Sequence, residues 1–252
     1  MSPTIHLVRH GEAEHNVDFD VDIRDPGLTN KGGAQCRTLG KTFPYKDRVT
    51  RLVASPMRRT VQTAHWAFVD PEAPATAPLQ NEQQNEQQQK RTIIALGELQ
   101  ECSGFPCDIG LPVEELAQFG GYLDLSRVKP DWNSKRGIYK PVEAVIRMRA
   151  EKALNILRKL AREARDEYED AHLVVVSHGT MIQFLVDRPD AERAAFHNCE
   201  YRSYKFVDLV GDDPKTVGLV ETNESFYRRS SPLSMRSPQE AEDLVEAELS
   251  AR

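Results

Sequence analysis

Two short apolar runs that each end on a histidine–glycine pair constrain the fold of this chain most. Ile5–Val8 leads into Arg9–Gly11, and Leu173–Ser177 leads into His178–Gly179. Runs of this length are typical of buried strands, and the glycine lets the chain turn sharply behind each of them. Open α/β sheets bind their ligands at the carboxyl ends of parallel strands. The two histidines are therefore expected in one site, where an imidazole beside an arginine suits phosphate chemistry.

The bulk composition excludes several classes of protein. The chain has 252 residues and a formal net charge of -6, which disfavours general nucleic-acid binding because that usually needs a basic face. A local arginine cluster still allows a small anionic ligand. No stretch approaches the ~20 apolar residues that span a bilayer, and no secretory leader is visible. We therefore expect a cytoplasmic monomer or homodimer with no membrane or nucleic-acid partner.

The four cysteines do not indicate a disulfide framework, because they are few and scattered. A zinc site built from Cys102, Cys107, His197 and Cys199 is disfavoured, since their spacing fits no common ligand pair. We expect reduced thiols and no bound metal.

Strand and helix patterns alternate along the chain, which favours a sheet covered by helices. Besides the two runs above, strands are predicted at 51–54, 92–95 and 204–210. Helices are predicted at 31–43 after an Asn30 cap, from Ser55–Pro56 onwards, at 142–169 and at 181–186. The predicted buried stripe of the long helix is Val145, Met148, Ala153, Ile156, Leu157 and Leu160.

Two polar segments interrupt this pattern. Residues 71–90 are rich in glutamine, asparagine and glutamate, which predicts a solvated loop insertion, with an interaction tract as the alternative. The segment 225–252 is rich in serine, arginine and acidic residues and predicts a loosely packed tail. The expected organisation is one domain over residues 1–224, followed by this tail.

A neutral imidazole attacks phosphorus without a metal if its second ring nitrogen is held and cations surround the phosphoryl oxygens. Arg9 offers a planar guanidinium directly beside His10. Ser55–Ala64 opens a helix straight after a strand, where the helix N-terminus and an arginine favour an anion. Each feature alone is more typical of a packed histidine or a solvated arginine, so the case depends on their combination.

Four motifs in this order make the chain resemble the histidine phosphatase superfamily, in the branch of phosphoglycerate mutases and small cofactor-free phosphatases. They are Arg9–Gly11 with Asn16, Asp25–Thr29 with Gly32 or Gly33, Ser55–Ala64, and Ser177–Gly179. The resemblance implies a three-layer α/β/α sandwich with a mostly parallel central sheet. It also implies a site above the strand ends and no cofactor.

The resemblance implies a role for each matching residue. His10 is the implied nucleophile, which becomes a phosphohistidine. Arg59 is preferred to Arg58 because the family's arginine lies four residues after the serine and four before the threonine. The implied contacts to the phosphoryl group and the substrate are Arg9, Asn16, Arg59, His178 and Thr180.

The family also implies a glutamate in a Leu-x-Glu setting after the third strand, which protonates the leaving oxygen. Glu98 and Glu101 both fit this setting. Glu101 is favoured because 101–108 resembles the acid-to-Pro-Cys-Asp stretch of eukaryotic phosphatase-like members.

The resemblance implies a metal-independent phosphomonoesterase that acts on a small phosphorylated metabolite. A phosphomutase is disfavoured, since the arginine- and tyrosine-rich insertion of the mutases is not found. Residues 98–140 are instead expected to form a lid, in which Lys129, Lys135 or Arg136 either meets further anionic groups or stays solvated. The alternative from another class is a phospho-binding or scaffolding module, or a site recruited to non-phosphate chemistry. The intact set of arginines and histidines disfavours it.

Overall fold

The computed structural model describes residues 2–70, 91–187 and 195–230. Its strands form a seven-stranded sheet in the spatial order β4-β3-β2-β5-β1-β6-β7. Strands β1 to β5 are parallel, and β6 and β7 are antiparallel at one edge. The strands are β1 (Thr4–Arg9), β2 (Val49–Ala54), β3 (Ile93–Ala95), β4 (Leu123–Asp124), β5 (His172–Ser177), β6 (Tyr201–Phe206) and β7 (Leu219–Glu221).

Helices cover both faces of this sheet. Helix α3 continues as a π-helical turn over His65–Val69. No helix within the described ranges is long and apolar enough to cross a bilayer. The helices are α1 (Glu14–Val17), α2 (Asn30–Thr42), α3 (Arg58–Ala64), α4 (Val113–Leu116), α5 (Glu143–Glu167), α6 (Gly179–Leu185) and α7 (Asn223–Ser230).

Alternate side chains of the central strands enter two hydrophobic cores, one on each face of the sheet. In β5, Leu173 and Val175 pack with α5 and α6, whereas Val174 and Val176 pack with α2 and α3. A strand that is covered on both faces can be apolar throughout, which explains the unbroken run in the sequence. The predicted three-layer α/β/α sandwich with a mostly parallel sheet is confirmed.

Helix α2 is capped by Thr29, so the predicted Asn30 cap is wrong. The Thr29 hydroxyl accepts the backbone N–H of Gly32 at 3.0 Å and donates to Glu12 Oε1 at 2.9 Å. Asn30 becomes the first residue of the helix. The cap therefore ties the start of α2 to the loop that follows His10.

Three other predicted boundaries or faces are wrong. The strand predicted at 204–210 is β6 (Tyr201–Phe206), because its ladder with β1 already begins at Tyr201, and Val210 is exposed. Helix α3 starts at Arg58 rather than at Ser55–Pro56. In α5, Met148 is exposed and Ile146 is buried in its place.

The sequence predicts a tail from residue 225, but residues 225–230 form most of α7. This helix packs on β6, where the Ser203 N–H donates to Ser225 Oγ at 3.0 Å and Arg228 donates to Tyr201 O at 3.2 Å. Helix α7 is thus part of the folded domain. The predicted insertion at 71–90 and the remaining tail lie outside the described residues.

Candidate active site

The carboxyl ends of three adjacent strands carry the predicted catalytic residues. Strand β1 ends at Arg9 and is followed by His10, β2 leads into α3 with Arg59, and β5 is followed by His178. Because β5 lies between β1 and β2 and all three are parallel, these side chains meet at one edge of the sheet. The ring centroids of His10 and His178 are 5.3 Å apart.

His10 is buried, and one of its ring nitrogens is held by the backbone. Its Nδ1 lies 2.7 Å from Gly11 O, and since a carbonyl only accepts, Nδ1 carries the proton and Nε2 keeps its lone pair. Burial, followed by the charges of Arg59 and Arg9, holds the pKa of His10 well below its ordinary value. The ring is therefore neutral at physiological pH, with one unprotonated nitrogen.

The backbone around His10 is fixed by contacts from distant parts of the chain. The Gly11 N–H donates to Thr63 Oγ1 at 3.0 Å, and Asn198 Nδ2 donates to His10 O at 3.0 Å. A Cβ at Gly11 would lie 2.9 Å from Gly32 O, so only glycine lets the histidine loop approach α2 this closely.

Two guanidinium groups are oriented by backbone carbonyls beside His10. Arg59 donates to Cys107 O at 2.8 Å and to Asp108 Oδ1 at 3.1 Å, and Arg9 donates to Phe196 O at 2.6 Å. Within the described residues, the buried Nε of each arginine has no hydrogen-bond partner. Each group is thus held on one side and keeps an N–H for an anion.

His178 is fully buried and its Nε2 lies 3.0 Å from Ser55 Oγ. Its buried Nδ1 has no partner among the described residues. Burial, and then the charge of Arg59, holds the pKa of His178 well below its ordinary value. If the Ser55 hydroxyl donates to Nε2, the neutral ring has an Nδ1–H that can donate to a phosphoryl oxygen.

The carboxyl group of Glu101 sits at the start of α6. It accepts backbone N–H groups from Cys102 at 2.9 Å, Met181 at 3.1 Å and Thr180 at 3.3 Å. Burial, and then the charge of Asp108, raises the pKa of Glu101 above its ordinary value, although these N–H groups and Arg59 oppose the change. A carboxyl group that keeps its proton closer to neutral pH is suited to act as a general acid.

Glu98 has a different environment from Glu101. It is buried on the turn before Glu101 and forms an ion pair with Lys152 Nζ of α5 at 2.7 Å. Its carboxylate therefore braces this turn against α5. Of the two glutamates, Glu101 is the one whose pKa is raised and whose carboxyl group lies at the start of α6, directly after His178.

The side chains of the other residues predicted from the motifs are bound to groups outside the histidine pair or are exposed. Asn16 Oδ1 accepts the Ala13 N–H at 3.0 Å, and its Nδ2 donates to His15 Nε2 at 3.0 Å. Thr180 is exposed and contributes its backbone N–H to Glu101. Arg58 donates to Asp25 O at 3.5 Å, so it leaves the site to Arg59.

Three residues at the site were not assigned a role from the sequence motifs. The ring centroid of His15 lies 5.9 Å from that of His10, and burial lowers the pKa of His15 to about 4. Asp108 orients Arg59. Lys135 donates to Glu101 O at 2.9 Å, and burial lowers its pKa to about 8. The sequence places Lys135 in the lid without a fixed contact, and nothing in the pattern around His15 indicates its role.

The residues of the disfavoured zinc site are dispersed. Cys199 Sγ lies 3.6 Å from Cys36 Sγ, and Cys102 Sγ lies 3.4 Å from Arg149 Nη2. Over the described part of the chain, no group of three or more His, Cys, Asp and Glu residues is arranged to hold a metal ion.

This arrangement, a strand-end histidine with a free Nε2 between two arginines and a second histidine, defines a phosphate-handling imidazole site. The sequence profile of the histidine phosphatase superfamily (branch 1) matches residues 5–222. The chain therefore belongs to this superfamily, as its motifs predicted, and is an enzyme of the histidine phosphatase type.

Comparison with individual proteins gives more distant matches. A probable phosphatase of Schizosaccharomyces pombe is 24% identical over 215 residues, which cover 80% of this chain and 89% of the relative. A phosphoglycerate mutase-like protein of Arabidopsis thaliana is 37% identical over 76 residues, which cover 26% of this chain and 22% of the relative.

Solved structures share the fold. The ecdysone phosphate phosphatase of Bombyx mori, in complex with tungstate, has a TM-score of 0.54 and 16% identity, and the match covers 87% of this chain and 92% of that one. A mycobacterial glucosyl-3-phosphoglycerate phosphatase has a TM-score of 0.51 and 14% identity, with 87% and 96% covered. At these identities the likeness concerns the fold alone.

Proposed function

We propose that the protein is a metal-independent phosphomonoesterase that acts on a small phosphorylated metabolite through a phosphohistidine. The observation that carries the proposal is the orientation of His10. Its Nδ1–H is bound to Gly11 O, which leaves Nε2 unprotonated beside Arg9 and Arg59. A nucleophile and its cationic surroundings are thus preorganised by the protein.

In the first step, Nε2 of His10 attacks phosphorus and the bond from phosphorus to the alcohol oxygen breaks. Arg9, Arg59 and His178 bind the phosphoryl oxygens as their charge spreads. Glu101 transfers its proton to the leaving oxygen. In the second step, water attacks the phosphohistidine, ionised Glu101 takes a proton from that water, and inorganic phosphate and neutral His10 are released.

The phosphatase name of the relative from S. pombe supports hydrolysis over mutase chemistry. The mutase-like relative covers only a quarter of the chain and does not distinguish the two reactions. A silent or recruited site is disfavoured because Arg9, His10, Arg59 and His178 are all present and converge. The cytoplasmic location, and a monomer or homodimer with the substrate as its partner, stay predictions.

The test is the release of phosphate from a panel of phosphomonoesters in the presence of EDTA. We expect the wild type to keep its activity after chelation and His10→Ala to lose it by at least about 1000-fold. Arg58→Ala is the matched control and should stay within a few-fold of the wild type. Activity that needs a metal, or that survives in His10→Ala, would contradict the proposal.

A further inference from the structure

Beside the phosphate site, the chain exposes apolar side chains that no internal contact explains. We call Val17, Phe19, Val21 and Phe105 the apolar rim. Their exposures are 57%, 85%, 36% and 55%. Val17, Phe19 and Val21 share one segment, and neighbouring exposed apolar side chains mark an interaction site, whereas single scattered ones are normal.

The apolar rim is connected to the phosphate-binding arginine by two hydrogen bonds. Arg59 donates to Cys107 O at 2.8 Å, and the N–H of the same Cys107 donates to Val21 O at 3.0 Å. Phe19 lies two residues before Val21, and Phe105 lies two residues before Cys107, so the hydrogen bond between Cys107 and Val21 joins the two segments that carry these phenylalanines. The rim also starts at Val17, the last residue of α1, and His15 of this helix lies beside His10.

The apolar rim is close in sequence to the proposed proton donor. Phe105 follows Glu101, the proposed proton donor to the leaving oxygen, by four residues on the same segment. A hydrogen bond from the Ser103 N–H to Asp108 Oδ2 at 3.2 Å makes this segment a compact turn. Glu101, which would protonate the alcohol, and Phe105 of the rim therefore lie on one short segment.

The charged residues that alternate with the rim residues are acidic. Asp18, Asp20 and Asp22 alternate with Val17, Phe19 and Val21, and all three aspartates are exposed. A second phosphate or a carboxylate on the substrate would meet this negative charge, whereas an uncharged group would not.

We propose that the substrate is the phosphomonoester of a bulky, apolar alcohol without further negative charge, such as an aryl or long alkyl phosphate. This inference rests on the proposed phosphatase function and names its substrate class. Apolar contact at the rim binds the alcohol while the strand-end residues bind the phosphoryl group.

The test compares n-butyl phosphate with n-octyl phosphate below the micellar concentration of the latter, since the two leaving alcohols have the same chemistry. We expect kcat/KM of the wild type to favour the octyl ester by about tenfold or more, because each buried methylene contributes to binding. Phe19→Asn and Phe105→Ser should each reduce this preference several-fold. Asparagine suits Phe19 because its φ of +55° lies in the left-handed region.

Tyr227→Ser is the matched control, since the exposure of Tyr227 lies between those of Phe19 and Phe105 but Tyr227 is on α7. It should leave the octyl-to-butyl ratio unchanged. Equal kcat/KM for the two esters in the wild type would overturn the inference and leave the phosphatase function standing. No phosphate release from these esters or from p-nitrophenyl phosphate would contradict the phosphatase function itself, and the inference with it.

A second arm tests the charges of the rim. 4-Phosphooxybutanoate carries the butyl chain with a terminal carboxylate, and we expect a lower kcat/KM for it than for n-butyl phosphate. Asp20→Asn should narrow this difference. If the rim variants change the oligomeric state but not the selectivity, the surface is an interface between copies of the chain and the inference is overturned.

Discussion

Neighbouring residues of the same type have different hydrogen-bond partners in this molecule. Arg59 is held by Cys107 O and Asp108, whereas Arg58 reaches Asp25. The family's spacing of serine, arginine and threonine favours Arg59, and since one residue along a helix rotates the side chain by about 100°, Arg58 points elsewhere. No spacing rule identifies Asp108 as the partner of Arg59, since the contact joins segments far apart in sequence.

Replacing the two arginines should therefore have unequal effects. We expect Arg59→Ala to lower kcat/KM by at least about 100-fold, because it removes a preorganised donor to the transferring phosphoryl group. Arg58→Ala should lower it by only a few-fold. Steady-state kinetics on one phosphomonoester measures both variants, and near-equal losses would show that the assignment of Arg59 is wrong.

The two glutamates should differ in how they respond to the leaving group. Glu101→Gln should lower kcat by about 100-fold or more on an alkyl phosphate but much less on p-nitrophenyl phosphate, whose leaving group needs no proton. Because the proton donor must be protonated, the rate on the alkyl ester should also fall as pH rises past the raised pKa of Glu101.

Glu98→Gln provides the control for this comparison. It removes the charge that pairs with Lys152, so its effect should appear in thermal stability and be the same for both esters. A leaving-group dependence at Glu98, or none at Glu101, would reverse the assignment.

Elements that bury a full run of side chains were predictable, and the short strands at the two edges of the sheet, β4 and β7, were not. Strands β1 and β5 and helix α5 have a clear pattern over six or more residues. Strands β4 and β7 have two and three residues, too few to show a period, and they exist because a neighbouring strand pairs with them. The Thr29 cap was missed because Asn30 is an equally good capping residue by type.

The start of α2 gives a prediction about packing. The sequence left open whether Gly32 or Gly33 is the glycine of the family motif. A Cβ at Gly32 would lie 2.0 Å from Glu12 O. A backbone oxygen cannot move aside easily, so Gly32→Ala should lower the free energy of unfolding by about 2 kcal/mol or more. It should also reduce activity, since Glu12 follows the His10 loop.

Gly121→Ala is the control, because nothing lies within 4 Å of a Cβ placed there. Urea denaturation of both variants gives the comparison. Equal stability of the two variants would mean that α2 can pack without the close approach of Gly32 to Glu12 O.

On the scale of the whole molecule, the three α/β/α layers were predictable from the sequence. The loop contacts of residues 98–140 next to the site were not. The segment 98–140, which the sequence predicts as a lid, is anchored by Trp132, which is fully buried and packs so closely on Gly110 that a Cβ there would meet its ring at 2.1 Å. Such contacts depend on loops with no periodic pattern. For the same reason, the sequence did not indicate that Lys135 bonds to Glu101 O.

A buried histidine pair makes the stability of the domain depend on pH. His6 Nε2 lies 2.8 Å from His172 Nδ1, and His6 Nδ1 lies 2.9 Å from Ser203 Oγ. Burial, together with the neighbouring His172, lowers the pKa of His6 to about 3. The unfolded chain, with a histidine pKa of about 6.5, binds more protons below that pH. The contribution of the neutral, buried His6 to the free energy of unfolding is therefore complete above about pH 6.5. It is lost as pH falls towards about 3.

We expect the wild type to lose about 2 kcal/mol more of its free energy of unfolding than His6→Asn when pH falls from about 7.5 to about 5. Asparagine keeps a donor and an acceptor for Ser203 but does not titrate. Urea denaturation at the two pH values gives both differences. The same pH dependence in both proteins would contradict a neutral buried His6.

The most direct test of the central claim is to trap the covalent intermediate. The EDTA-treated enzyme is mixed with a phosphomonoester, quenched with a denaturant at alkaline pH, and analysed by intact-protein and peptide mass spectrometry. We predict the added mass of one phosphoryl group on His10 in the wild type, and none in His10→Ala. Turnover of the same ester with no phosphoryl group on His10, or with the group on another residue, would contradict the phosphohistidine mechanism.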